Sequence, residues 1–127
     1  MLLNHVGIIN NDEEKAVLFY RDFLGLLKTG EFVVEPELSE QLFSISKAIK
    51  VLVFEKENTK IEVFISLEFS QPSPNMFHIG LGVDNLAGLI EEASKRSIQV
   101  ISGSHKGKTV YFVKDFSGNL IEVKQKR

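Results

Sequence analysis

Two stretches of the chain repeat one another: Asn4-His5-Val6-Gly7-Ile8 and Phe77-His78-Ile79-Gly80-Leu81. Each opens a half that continues into an amphipathic helical run and closes on Ile-Glu-Val, at Ile61-Glu62-Val63 and Ile121-Glu122-Val123. A repeat of this kind constrains the fold more than any single propensity, because both halves must build the same unit. It also places one His and one Glu at matching points of each half. His5, Glu62, His78 and Glu122 are therefore four candidate metal ligands.

Period-two alternation predicts a first strand over Leu2–Ile9, with Leu2, Val6 and Ile8 on one face and His5, Gly7 and Ile9 on the other. Asn11 is the expected helix cap, with Glu14 completing a capping box. The helix runs to about Leu24, burying Ala16, Phe19, Tyr20, Phe23 and Leu24, and Gly25 ends it. Strands follow over Leu26–Val34, Ile49–Glu55 and Lys60–Leu67, the last with Glu62 and Phe64 on one face. Glu35–Lys47 reads either as a short helix from Pro36, with Leu38, Leu42 and Phe43 inward, or as a loop.

Gln71-Pro72-Ser73-Pro74 is the natural joint between halves. The order then recurs: a strand over Met76–Val83 and a helix over Asn85–Arg96 with Leu86, Leu89, Ile90 and Ala93 on its buried stripe. Strands over Ile98–Ser102, Thr109–Lys114 and Leu120–Lys124 are separated by turns at Gly103–Gly107 and Asp115–Asn119. Each half reads β-α-β-β-β. The expected layout is a single domain over 1–127, with one module at about 1–68, a linker at about 69–75 and a second module at about 76–127. The first half is the longer, and Glu35–Lys47 holds the surplus.

In both halves the strand face opposite the His is strongly apolar and needs a helix to cover it. His and Glu then share the other face. They converge if the first and fourth strands of each half are neighbours, and Gly7 and Gly80 leave room beside them. A lone His or Glu on a polar strand face is ordinarily just solvated; matched placement in two halves favours a metal site. Imidazole with carboxylate suits Zn, Ni, Co, Mn or Fe. A cation with open positions polarises a substrate oxygen, and a carboxylate beside it can move a proton. Lys106 and Lys108 could meet a substrate carboxylate or phosphate, although a solvated turn is the plainer reading. Phe54 and Phe112, taken as equivalent strand positions, are candidate pocket-lining residues, although core packing is the commoner fate of a strand Phe.

The 127 residues amount to one domain's worth of chain. Fifteen basic and seventeen acidic side chains give a net charge of −2, which argues against nucleic acid as a partner. The one basic concentration, Lys124, Lys126 and Arg127, reads as a solvated tail. There is no Cys, hence no disulfide framework or thiol chemistry. No leader-like segment or membrane-length apolar run is visible, and a cytoplasmic protein is the expectation.

The motifs around the repeat resemble the vicinal oxygen chelate superfamily, also called the glyoxalase/bleomycin-resistance/dioxygenase superfamily. The resemblance covers essentially the whole chain. It rests on Asn4-His5-Val6-Gly7-Ile8, Phe19-Tyr20-Arg21-Asp22-Phe23-Leu24-Gly25-Leu26, Phe77-His78-Ile79-Gly80-Leu81-Gly82-Val83-Asp84 and Asp115-Phe116-Ser117-Gly118-Asn119-Leu120-Ile121-Glu122. It implies an α+β fold of two tandem βαβββ modules, forming curled mixed sheets around a central cavity with helices on the outer faces. It implies a homodimer, a small-molecule substrate and one divalent metal ion per site, held by His5, Glu62, His78 and Glu122, with Glu122 or Glu62 as the catalytic base. The presence of Glu62 resembles glyoxalase I and methylmalonyl-CoA epimerase. Fosfomycin-modifying transferases and extradiol dioxygenases resemble a site of His5, His78 and Glu122 alone. The implied activity is that of a metal-dependent lyase or isomerase acting beside a carbonyl or thioester through an enediolate or enolate. The alternatives are an Fe(II) or Mn(II) dioxygenase and a metal-free binding protein of the bleomycin-resistance kind. Where short glyoxalase I enzymes carry an Arg and an Asn suited to glutathione, this chain has Ile9 and Ser66.

Overall fold

Each half of the repeat folds as its own four-stranded mixed sheet. The computed structural model describes residues 1–127 and separates into two units, Met1–Phe69 and Ser70–Arg127. The architecture is α+β, with three helical elements and two open sheets of corresponding topology.

In the first unit the strands are β1 (Val6–Asn10), β2 (Leu27–Val34), β3 (Ile49–Lys56) and β4 (Thr59–Ile65), in the order β1-β4-β3-β2. β1 runs parallel to β4, and the other pairs are antiparallel. A parallel pair needs a long crossover, which the intervening helix and hairpins supply. Strand β1 is shorter than its sequence pattern: it starts at Val6, leaving Leu2 and Leu3 exposed and His5 just ahead of the ladder.

Helix α1 (Glu13–Val17) is capped by Asp12 rather than by the expected Asn11. The Asp12 carboxylate accepts from the Lys15 N–H at 3.0 Å, while Asn11 donates its amide to the Phe69 carbonyl. The helix continues as a π-helical segment over Leu18–Phe23, in which the Leu24 N–H reaches back five residues to the Phe19 carbonyl. That wider turn presents Phe19 and Tyr20 together, fully buried, with Tyr20 5.7 Å from the Phe54 ring. Phe54, Leu52, Ile61 and Val63 complete this helix-covered core, each a fully buried side chain contributing roughly 1.5–3 kcal/mol.

The surplus of the first half is helix α2 (Pro36–Phe43), which starts on Pro36 as one of the two sequence readings expects. Its inner residue is the buried Ser39; Leu38, Leu42 and Phe43, expected inward, are exposed.

The second unit repeats the plan with β5 (His78–Val83), helix α3 (Leu86–Lys95), β6 (Val100–His105), β7 (Lys108–Lys114) and β8 (Leu120–Gln125), ordered β5-β8-β7-β6. β5 is parallel to β8. Asn85 caps α3 through the Gly88 N–H, and the Leu86 N–H donates to the Gln125 side chain, tying the helix start to β8. Ala93, Ile98, Val113, Ile121 and Val123 are buried.

The turn expected at Gly103–Gly107 is shorter than its composition suggests. Gly103, Ser104 and His105 pair with Val110, Thr109 and Lys108, leaving a two-residue turn at Lys106-Gly107 with both φ positive, at 51° and 77°. That is the backbone a right-twisted hairpin prefers. Before β8, the buried Asp115 carboxylate accepts from the Ser117 and Asn119 N–H groups, at 2.9 Å each, which fixes where the strand carrying Glu122 begins. Lys124 lies within β8, where the expected final strand places it, with its side chain exposed.

Candidate functional site

In the first unit the parallel register sets Glu62 opposite Gly7, two residues past His5. Side chains two apart on a strand share a face, so His5 and Glu62 meet where Gly7 carries nothing to separate them. The His5 Nε2 lies 3.4 Å from Glu62 Oε1. The other ring nitrogen, Nδ1, donates to the Asn4 side-chain oxygen at 2.7 Å. An amide oxygen only accepts, so Nδ1 donates in this contact and Nε2 is the nitrogen left facing the carboxylate. The Glu62 side chain is only 13% exposed and receives no hydrogen bond from any N–H or O–H of the chain. A largely desolvated carboxylate without donors is poised for a cation.

A cavity of about 580 Å³ lies beside His5, lined by Gly7, Ile9, Phe43, Ile45, Phe64 and Ser66 among others. Phe43 of α2 meets Phe64 edge-on at 5.7 Å. The outward side of α2 thus supplies cavity wall instead of core. No basic side chain but His5 lines it.

The second unit holds the counterpart. Glu122 stands opposite Gly80, and His78 Nε2 is 3.6 Å from Glu122 Oε1. His78 Nδ1 donates to the Met76 carbonyl at 2.9 Å, so the same nitrogen faces the carboxylate as in the first unit. The Glu122 side chain is 17% exposed. It differs from Glu62 in one respect: Lys124 Nζ lies 3.3 Å from its second oxygen. Phe112, paired with Glu122 across the ladder, packs edge-on against the His78 ring at 5.1 Å. A second cavity, about 330 Å³, is lined by Glu122, Lys124, Lys108, Val110, Thr109 and Leu86 among others.

The candidate residues thus sort cleanly. His5 meets Glu62, His78 meets Glu122, Phe112 joins the second pair and Lys108 lines the cavity beside Glu122. Lys106 stands exposed at the hairpin tip. Phe54 joins no pair: it sits opposite Ile61, on the helix-covered face, fully buried. The residue facing Glu62 from β3 is Val53, so Val53 is the true equivalent of Phe112. Sequence reasoning missed the orienting oxygens of Asn4 and Met76, and it missed Lys124.

Within neither unit do three His, Asp or Glu side chains gather as a metal-holding group; each unit offers one imidazole and one carboxylate. Those donors suit a first-row divalent ion. Separations of 3.4 and 3.6 Å exceed a hydrogen bond, yet both atoms of each pair can lie within bonding reach of one ion at roughly 2.0–2.2 Å. The residues fit such an ion.

A sequence model of the Glyoxalase/Bleomycin resistance protein/Dioxygenase superfamily matches residues 4–113. The chain is 32% identical to methylmalonyl-CoA epimerase, mitochondrial, of Mus musculus, over 97% of this chain and 72% of the relative. The solved structure of the trypanothione-dependent glyoxalase I of Leishmania major superposes with a TM-score of 0.72 at 18% identity, covering 98% of this chain and 86% of that one. A mutant of the fosfomycin resistance protein FosX of Listeria monocytogenes, solved in complex with Mn(II) and 1S,2S-dihydroxypropylphosphonic acid, gives 0.68 at 14% identity, over 98% of this chain and 92% of that one. The two structural likenesses speak to the fold.

Proposed function

Because the chain belongs to the glyoxalase/bleomycin resistance protein/dioxygenase superfamily, we propose that it is a divalent-metal-dependent isomerase or lyase that moves a proton on the carbon beside a carbonyl or thioester. The metal ligands are His5 and Glu62 in the first unit and His78 and Glu122 in the second, and Glu122 or Glu62 is the base. The observation that carries this reading is the matched orientation of the two imidazoles. Each spends Nδ1 on a fixed oxygen, Asn4 Oδ1 or the Met76 carbonyl, and presents Nε2 to a largely buried carboxylate. The acceptors differ, a side-chain amide in one half and a main-chain carbonyl in the other, yet both leave the same nitrogen facing the carboxylate.

When bound, the divalent ion supplies a Lewis acid for the substrate oxygen and for the negative charge that develops on it. The chain's own residues do the rest. Both carboxylates sit within strands rather than on loops, so the base is held in place. The apolar walls of the cavity beside His5 favour an uncharged acyl portion there. Ile9 and Ser66 both line that cavity, which argues against a glutathione conjugate. Similarity to the mouse epimerase supports a thioester of the coenzyme A kind as substrate. A homodimer is the proposed assembly.

The test is direct. Purified protein should retain a divalent ion on metal analysis and should exchange the α-proton of acyl thioesters with deuterium from solvent. Glu122→Gln should stop that exchange. Glu62→Ala should lose most metal affinity; if it keeps the ion, a site of two His and one Glu suited to oxygen chemistry replaces the present reading. A protein without affinity for any divalent ion would sink both.

A further inference from the structure

The two halves differ most beside their carboxylates. Two residues beyond Glu62 stands Phe64, in a cavity with no Lys or Arg. Two residues beyond Glu122 stands Lys124, in a cavity that also takes in Lys108. A cation at one repeat position only is not a demand of the fold or of the His–Glu pair, since the other half manages both without it.

Register shows how the cations are arrayed. Phe112 faces Glu122, so Val110 and Lys108, two and four residues earlier on β7, continue the same sheet face. Lys124 continues it on β8. The floor between is bare: Gly80 faces Glu122, Gly82 faces Lys124 and Gly103 faces Val110. A Cβ added at Gly80 or Gly103 would meet nothing within 4 Å. Lys126, by contrast, is taken up by Asp84 at 3.5 Å. Lys108 makes no ion pair, and the acidic partner of Lys124 is Glu122 itself.

We propose that Lys124 and Lys108 form an anion subsite on the open face of the second unit, which holds a carboxylate or phosphate of the substrate beside the Glu122 carboxylate. The proposal rests on the reading of Glu122 as metal ligand or base. In the structure Glu122 occupies Lys124. Once Glu122 is committed to a cation, Lys124 is left to the incoming anion, and its 72% exposed side chain can reach that anion without rearrangement of the fold. Lys124 is thus a substrate-positioning residue: it sets the charged end of the molecule while the base acts on the neighbouring carbon.

Two probes separate the sources of the anion: malonate for a carboxylate, pyrophosphate for a phosphate. Each is titrated calorimetrically into the full chain at low ionic strength, with and without Mn(II). The wild type should bind at least one, and more tightly with Mn(II). Lys124→Met and Lys108→Met should each weaken it about fivefold, the upper end for a single exposed ion pair. Lys124→Arg should restore most of the affinity, and Lys95→Met, on the outer helix, should change nothing. Wild-type protein that binds neither probe, or a Lys124→Met variant that binds as tightly as wild type, overturns the subsite. Mn(II) binding is read in the same instrument. Its absence overturns the metal reading, while anion binding that depends on Lys124 would still uphold the subsite.

Discussion

The Asn4 side chain offers the sharpest test of how the first imidazole is held. Its oxygen lies 2.7 Å from His5 Nδ1, and Asn4 itself is exposed, contributing little to the core. Asn4→Ala therefore removes an orienting acceptor at almost no cost in folding. Loss of a partner that fixes a ligating imidazole typically weakens metal binding about 10–100-fold, or roughly 1.4–2.8 kcal/mol. The second half supplies its own control, because the His78 acceptor is the Met76 main-chain carbonyl, which no substitution deletes. Calorimetric titration of Mn(II) or Co(II) into metal-stripped protein should show the weakening in Asn4→Ala. Asn4→Asp, which keeps an acceptor in place, should recover it. Thermal melts of both variants without metal should match wild type to within about 0.5 kcal/mol. Should Asn4→Ala bind as tightly as wild type while His5→Ala binds weakly, the anchor has no part in holding the ligand.

Three further outcomes follow from burial, packing and charge. Phe54→Ala should cost about 3–5 kcal/mol in denaturant melts, because Phe54 is fully buried against Tyr20. Phe112→Ala should cost much less and instead shift the His78 imidazole resonances; equal costs would contradict their placement on opposite faces. A Cβ at Gly7 would fall 3.2 Å from the Phe64 ring, whereas one at Gly80 meets nothing within 4 Å. Gly7→Ala should therefore destabilise by about 1 kcal/mol as the ring shifts, and Gly80→Ala should be near neutral; the reverse order would refute the packing. Hydrogen bonds from Lys28 and then Lys50 hold the Glu31 carboxyl below its ordinary range. A lowered folded value means the group adds stability above the ordinary carboxylate range and loses it as pH falls through the lower value. Lys50→Met should flatten the acid limb of the stability profile slightly, because the group is exposed and screened, and an unchanged limb would show that the pair contributes nothing.

The His–Glu pairing was legible in the sequence because two kinds of periodicity agreed. Strand parity put His5 with Gly7, and Glu62 with Phe64, on the face away from the apolar residues; the repeat required the same of His78 and Glu122. The parallel ladders β1–β4 and β5–β8 then bring each His to its Glu. Parity needs no knowledge of partners, which is why it survived. The Asn4 anchor was not legible in that way, since it depends on a rotamer and not on a period. Lys124 was legible as the end of the final strand and as a solvated charge; its 3.3 Å contact with Glu122 was not, since that too depends on a rotamer.

The misplaced Phe54 shows where such reading fails physically. Equating Phe54 with Phe112 requires counting back from Glu62 and Glu122 through a turn in each half. In the first half β3 and β4 are joined by two residues, Glu57 and Asn58; in the second, β7 and β8 are joined by five, Asp115 to Asn119. Turns that differ by an odd number of residues reverse the parity of everything beyond them, and a slip of one residue exchanges the two faces of a strand. Phe54 therefore falls on the helix side, opposite Ile61, while Phe112 falls on the open side, opposite Glu122. Turn chemistry alone could not have revealed this. Glu57 adopts a positive φ of 53° without being Gly, and the Gly103–Gly107 stretch looks like a long turn but closes on two residues. The consequence is functional. Val53 faces Glu62 where an aromatic ring faces Glu122, and Phe64 follows Glu62 where Lys124 follows Glu122. The repeat preserves the His–Glu pair, while the residues around it differ, apolar in one half and cationic in the other.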